Sequence, residues 1–185
     1  LRGISSDRAV GVGPNKVLSA PDAIGQAIAY ETRIRDLYRE AAEQTTDAKG
    51  QKVFQTLADD EQRHLDYLEH KRRQWREEGA LTVEPLTSLV PPPEITPSEV
   101  EGLAAQMDRP DRGDEKRMLS KALQVEVETS AFYRRMVAEM EGAARDMFAR
   151  FLEIEDGHIV AVQAELDYIS HTGFWFDFQE FDMEH

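Results

Sequence analysis

Four stretches of this chain place apolar side chains at steps of three and four residues, and none alternates apolar with polar residues at the period of two that a strand requires. That pattern points to an all-α fold. The first stretch, A, roughly 21–45, carries Ile24, Ala27, Ile28, Ile34, Tyr38 and Ala41. Ser19 stands where an N-cap belongs, and Pro21 falls in the first turn, where proline removes no hydrogen bond. Stretch B, roughly 47–78, carries Phe54, Leu57, Ala58, Leu65, Leu68 and Trp75 before Gly79. Stretch C starts after Asp114 with Met118, Leu119, Ala122, Leu123, Phe132, Tyr133 and Met140, and Gly142 is read as its end. Stretch D, roughly 143–170, carries Phe148, Phe151, Leu152, Ile159, Val162, Leu166 and Ile169.

Helices of about 25 to 30 residues span on the order of 40 Å at a rise of 1.5 Å per residue. The few residues between A and B, and between C and D, force antiparallel neighbours. The expected architecture is a four-helix bundle over 19–172, with a long B-to-C crossover at 79–113 marked by Pro85 and the run Pro91, Pro92, Pro93. Within the crossover, Thr96-Pro97-Ser98-Glu99 has the form of a capping box and predicts a short helix of two or three turns. Residues 1–18 lack periodicity and read as a flexible arm. Residues 173–185 include Phe174, Trp175, Phe176, Phe178 and Phe181, too aromatic to lie free in water. This tail is expected to pack on the bundle or across a dimer interface.

The second half repeats the first. An offset of 95 pairs Ala27 with Ala122, Ile28 with Leu123, Glu31 with Glu126, Tyr38 with Tyr133 and Arg39 with Arg134, and an offset of 94 pairs Phe54 with Phe148, Glu61 with Glu155, His64 with His158 and Leu65 with Ile159. The match predicts an internal two-fold pseudo-repeat in which C copies A and D copies B.

The repeated polar residues interrupt apolar stripes. Glu31 lies between Ile28 and Ile34, Glu126 between Leu123 and Phe132, Glu61 and His64 between Leu57 and Leu68, and Glu155 and His158 between Phe151 and Val162. All six should face the bundle axis. A buried lone carboxylate costs several kcal/mol even after relaxation, and four together repel one another. Two divalent cations would neutralise four carboxylates. A Glu and a His three apart share one helical face, so each Glu-x-x-His can offer an oxygen and an imidazole nitrogen to one ion, while Glu31 and Glu126 complete or bridge the pair. Tyr38 and Tyr133 lie two turns beyond Glu31 and Glu126 on the same faces, placed either to hydrogen-bond a ligand carboxylate or carry a radical, or simply to pack. Glu128 is about 200° round the helix from Glu126 and reads as solvated, as do His70, His171 and His185. Gly157, inside the second Glu-x-x-His, should weaken its helix by up to about 1 kcal/mol relative to alanine.

Composition narrows the chemistry. With 36 acidic against 22 basic residues, the formal charge of −14 disfavours nucleic acid and anionic membrane surfaces. No apolar run approaches the roughly 18 to 20 residues that span a bilayer, and the first sixteen residues hold no signal-peptide core. The expectation is a soluble, cytoplasmic protein. Zero cysteines exclude disulfides and thiolate metal sites, so any metal must take nitrogen and oxygen ligands.

The set Glu31, Glu61-x-x-His64, Glu126, Glu155-x-x-His158 resembles the ligand pattern of the ferritin-like di-iron carboxylate proteins. Within that superfamily the duplicated halves, with Tyr38 and Tyr133, are most similar to rubrerythrins and their erythrin relatives. The resemblance implies a homodimer, two iron ions with Mn or Zn as substitutes, peroxide or dioxygen as substrate, and an external electron donor. The chain departs from rubrerythrins in two respects. Without cysteine it has no rubredoxin site, and Thr129 stands where those relatives place a further ligand glutamate. Four Glu and two His is closer to the bacterioferritin set. The activity expected is a di-iron oxidoreductase reducing hydrogen peroxide or dioxygen. The alternatives are a ferroxidase or iron-sequestering protein, and a metal-stabilised interaction module without turnover.

Overall fold

The computed structural model describes residues 18–90 and 113–175. The described residues form four helices and no strand: α1 (Ala20–Gln44), α2 (Ala48–Glu78), α3 (Gly113–Glu139) and α4 (Gly142–Thr172). They build a four-helix bundle. The capping-box segment at 96–99, the N-terminal arm to residue 17 and the tail from Phe176 onward lie outside the described residues.

Local chemistry sets the helix ends. The Ser19 side chain accepts from the Asp22 N–H, with Pro21 in the first turn as expected. Asp47 caps α2 by accepting from the N–H groups of Lys49 at 2.9 Å and Gly50 at 3.2 Å. At the C-terminal ends, Gly79 (φ 68°) and Gly173 (φ 77°) take the left-handed conformation that side chains resist, and their N–H groups close on Trp75 and Ile169. Gly142 does not end the third helix as its sequence position suggested. It opens α4 at φ 58°, and α3 closes three residues earlier, at Glu139.

Two apolar clusters fill the bundle. One gathers Ile34, Tyr38, Val53, Phe54, Leu57, Leu119, Ala122, Val125, Val162 and Ile169. The other gathers Ala23, Ile24, Ala27, Leu68, Phe132, Tyr133, Met136, Phe148 and Phe151. Burying each large side chain contributes about 1.5 to 3 kcal/mol, and truncating Phe54 or Phe148 to alanine costs about 3 to 5. Each helix passes from one cluster to the other. α1 and α4 run from the Phe148 cluster to the Phe54 cluster, and α2 and α3 run the opposite way. Thus α1 is antiparallel to α2 and α3, and the end of α2 and the start of α3 lie at opposite ends of the bundle. Leu86 packs in the Phe148 cluster and Val90 in the Phe54 cluster, so residues 86–90 run along the bundle as a strap.

The beginning of the aromatic tail caps the bundle. Trp175 is buried and meets Phe54 edge-on, with centroids 5.2 Å apart. Its indole covers Gly50, where an added Cβ would fall 2.4 Å from the ring. Trp75, expected on the core face of the second helix, is only half-buried.

Candidate metal centre

Between the two apolar clusters lies a polar layer, and all six residues singled out from the sequence are in it. Glu31 of α1, Glu61 and His64 of α2, Glu126 of α3, and Glu155 and His158 of α4 are each fully buried. The helical repeat explains the convergence, because each interrupts its apolar stripe at mid-helix and must follow that stripe inward.

The atoms interlock. His64 turns Nδ1 to Glu61 Oε2 at 2.9 Å, Glu31 Oε2 at 3.2 Å and Glu155 Oε1 at 3.5 Å. His158 turns Nδ1 to Glu61 Oε1 at 2.9 Å and Glu126 Oε1 at 3.8 Å. The two imidazoles stack with centroids 5.5 Å apart, and Phe151 meets His64 edge-on. Ligand atoms within 4.8 Å of one another form a group of three, Asp60, His64 and His158, and two sets of four: Glu31, Glu61, His64 and Glu155, and Glu61, Glu126, Glu155 and His158. Glu61 and Glu155 belong to both. The glutamates of the two Glu-x-x-His pairs therefore occupy the shared positions, while Glu31 and Glu126 each belong to one set.

Tyr38 and Tyr133 bind across the bundle and not along their own helices. The Tyr38 hydroxyl donates to Glu126 Oε1 at 2.5 Å, and the Tyr133 hydroxyl donates to Glu31 Oε1. Burial comes first among the causes that raise both phenols well above their usual value, with the neighbouring glutamates adding to it. Both tyrosines are neutral donors at physiological pH.

In the absence of metal, protons balance the charges of this layer. Burial and the charge of Glu61 push the Glu31 carboxyl up to about 8, and the same two causes push Glu126 up to about 7. Burial and the other three glutamates raise Glu155 well above the carboxylate range. Burial also works against ionised Glu61, but the two histidines outweigh it and hold Glu61 well below the ordinary value. Both histidines rise despite burial, His64 to about 10, with Glu61 the leading cause in each case.

Proton pairing leaves gaps. Glu61 Oε1, His158 Nδ1, Glu126 Oε2 and both oxygens of Glu155 are buried without an aligned hydrogen-bond partner, the 2.9 Å approach of Glu61 to His158 being poorly directed. A buried polar atom left unpaired costs about 1 to 3 kcal/mol. These atoms belong to residues of the two sets, and a donor set of carboxylate oxygens and imidazole nitrogens suits divalent Fe, Mn or Zn. The buried carboxylates and histidines could hold metal.

Comparison with known proteins finds no matching family, no matching characterised protein and no matching solved structure.

Sequence reasoning missed Asp60, fully buried beside His158, with Oδ2 3.0 Å from His158 Nε2. Its signal was available, since an aspartate directly before Glu61 on a mostly apolar face has Ile154 as its counterpart at the offset of 94. Buried Lys71 was also missed; its Nζ reaches Glu84, just before the strap, at 2.6 Å. Thr129 is buried, and its hydroxyl donates to the Val125 carbonyl at 2.9 Å. It supplies no carboxylate. Glu128 lies at the surface and pairs with Arg33 at 2.8 Å, His70 and His171 are exposed, and His185 is outside the described residues. A Cβ added at Gly157 would meet nothing within 4 Å, so no close approach explains that glycine.

Proposed function

We propose that the chain is a ferritin-like di-iron oxidoreductase of the rubrerythrin kind, reducing hydrogen peroxide or dioxygen. The observation that carries this reading is that Glu61 and Glu155, both fully buried, are shared between two histidine-containing ligand sets. A carboxylate shared in this way suits two ions about 3.5 to 4 Å apart, the spacing of two-metal sites. The reciprocal pairs Tyr38 with Glu126 and Tyr133 with Glu31 are what an internal two-fold repeat would produce. The opposite-end placement of the α2 terminus and the α3 start agrees with a long crossover, the ferritin-like connection. Assembly as a homodimer, an external electron donor and a cytoplasmic location belong to the same reading. No helix among the described residues is long and apolar enough to cross a membrane.

When bound, a ferrous pair supplies the two electrons that, with two protons, convert hydrogen peroxide to two waters. The chain's own residues set the conditions. Tyr38 and Tyr133 keep one oxygen of Glu126 and one of Glu31 turned toward α1 and α3, where each hydroxyl holds its proton. Phe151 closes the His64 side against water. One observation favours a ferroxidase as the second reading, namely that Thr129 offers no further carboxylate, leaving four glutamates and two histidines.

The deciding experiment is stopped-flow oxidation of the diferrous protein. Faster reaction with hydrogen peroxide than with an equal concentration of dioxygen, impaired in His64→Ala, is expected. Faster reaction with dioxygen and continued uptake of many irons per chain would favour the ferroxidase.

A further inference from the structure

Asp60 is fully buried, and the proposed reaction leaves it without a task. One step before Glu61, its side chain leaves α2 about 100° away from that ligand, behind the imidazoles. Its Oδ2 lies 3.0 Å from His158 Nε2 and accepts from the Ser88 hydroxyl at 2.5 Å, while Oδ1 accepts from the Leu89 N–H at 2.9 Å. Ser88 Oγ in turn accepts from the Val90 N–H at 2.9 Å, so the strap over the bundle is tied to this one carboxylate.

His64 is treated differently. Its Nε2 is 3.9 Å from the same Oδ2, beyond hydrogen-bond reach, and is buried without a partner. The position that would mirror Asp60 on α4 is occupied by Ile154, which accepts nothing. This difference matters because both imidazoles turn Nδ1 toward the glutamates. A neutral imidazole carries one proton, and a carboxylate that holds it on Nε2 leaves the Nδ1 lone pair free for a metal and fixes the ring plane.

We propose that Asp60 is a positioning residue that holds His158, and not His64, in the Nδ1-ligating form, making the two metal positions unequal. The position formed by Glu61, Glu126, Glu155 and His158 fills first and holds its ion more tightly than the one completed by Glu31 and His64. Ser88 and the Leu89 N–H keep the Asp60 carboxylate on the His158 side. The inference rests on the two-metal reading.

The test is anaerobic titration of the metal-free full chain with Co(II), followed by calorimetry and by the visible ligand-field absorption of the bound ion. The wild type is expected to fill in two resolved steps, with His158→Ala removing the tight step and His64→Ala the weak one. Asp60→Asn preserves side-chain size but turns an amide N–H toward a donor that now meets a carboxylate oxygen. It is expected to weaken the tight step about 10- to 100-fold and shift its ligand-field spectrum, leaving the weak step in place. Ser88→Ala should produce a smaller loss in the same step. Equal weakening of both steps by Asp60→Asn, or of neither, overturns the proposal. Two ions bound by the wild type in a single unresolved step also overturn it, while leaving the two-metal reading intact. Uptake of fewer than two ions refutes that reading and the proposal with it. Should Asp60→Asn lose its helical circular dichroism, Ser88→Ala decides, and an unchanged tight step there counts against the proposal.

Discussion

Replacing Glu155 with glutamine separates the metal-free protein from the metal-bound one. In the metal-free layer Glu155 is protonated, since burial and then the charges of Glu31, Glu61 and Glu126 raise its carboxyl well above the ordinary range. A glutamine amide has nearly the shape of that neutral acid and can donate to Glu126 in place of the carboxyl proton. The metal-free variant should therefore melt within a few degrees of the wild type. With metal the outcome reverses, because Glu155 is one of two residues common to both ligand sets whereas Glu31 serves only one. Free metal at 100 times the dissociation constant stabilises a one-site protein by about 2.7 kcal/mol. In a domain of 185 residues, at about 2 to 4 °C per kcal/mol, that is a rise in Tm of roughly 5 to 11 °C per site. Differential scanning fluorimetry with and without Mn(II), beside metal analysis, reads both quantities. Glu155→Gln should lose the metal-dependent rise for both sites, and Glu31→Gln only part of it. A Glu155→Gln protein that still holds two ions and shows the full rise would refute the shared-ligand geometry.

Other outcomes follow from the same layer. Glu31, raised to about 8, and Glu126, raised to about 7, contribute metal-free stability that is complete below their unfolded values near 4.5 and is lost as pH rises toward 8; His64 adds a loss between 6.5 and about 10. The gap in Tm between metal-bound and metal-free protein should accordingly widen from pH 6 to pH 9, and a constant gap would contradict the proton-for-metal exchange. Gly50→Ala drives a methyl into the Trp175 indole, so a loss of about 1 to 3 kcal/mol and a red-shifted tryptophan emission are expected. Gly157→Ala fills open space in the middle of α4 and should raise stability by about 0.5 to 1 kcal/mol in chemical denaturation without altering metal content. Glu126→Ala should lower metal stoichiometry, whereas Glu128→Ala, which removes only a surface pair with Arg33, should not.

The helices and the six converging residues were legible because a period of 3.6 fixes which side chains share a face, and a glutamate on an apolar face has nowhere else to go. Which glutamates are shared was not legible. That depends on the offsets between helices along the bundle axis, which repeats within each helix do not encode, and the structure gives the shared role to Glu61 and Glu155 where either arrangement was open. The crossed pairing of Tyr38 with Glu126 and Tyr133 with Glu31 escaped for the same reason, since it spans two helices. Asp60 stood on a mostly apolar face beside Glu61, but its pairing was not legible, because Ser88 and the Leu89 N–H lie in a strap without periodicity and His158 on another helix. Gly142 was assigned to the wrong helix because a glycine of positive φ can close one helix or open the next, and only the backbone distinguishes them.

On the proposed reading, Glu31, Glu61, His64, Glu126, Glu155 and His158 hold two metal ions side by side. X-ray absorption at the iron edge, on protein loaded anaerobically with ferrous iron and assayed for iron per chain, tests it most directly. Two irons per chain, nitrogen and oxygen neighbours only, and an iron–iron vector of about 3.5 to 4 Å that disappears in Glu155→Gln are expected. A saturating load of one iron per chain, or two irons without a mutual vector, would contradict it.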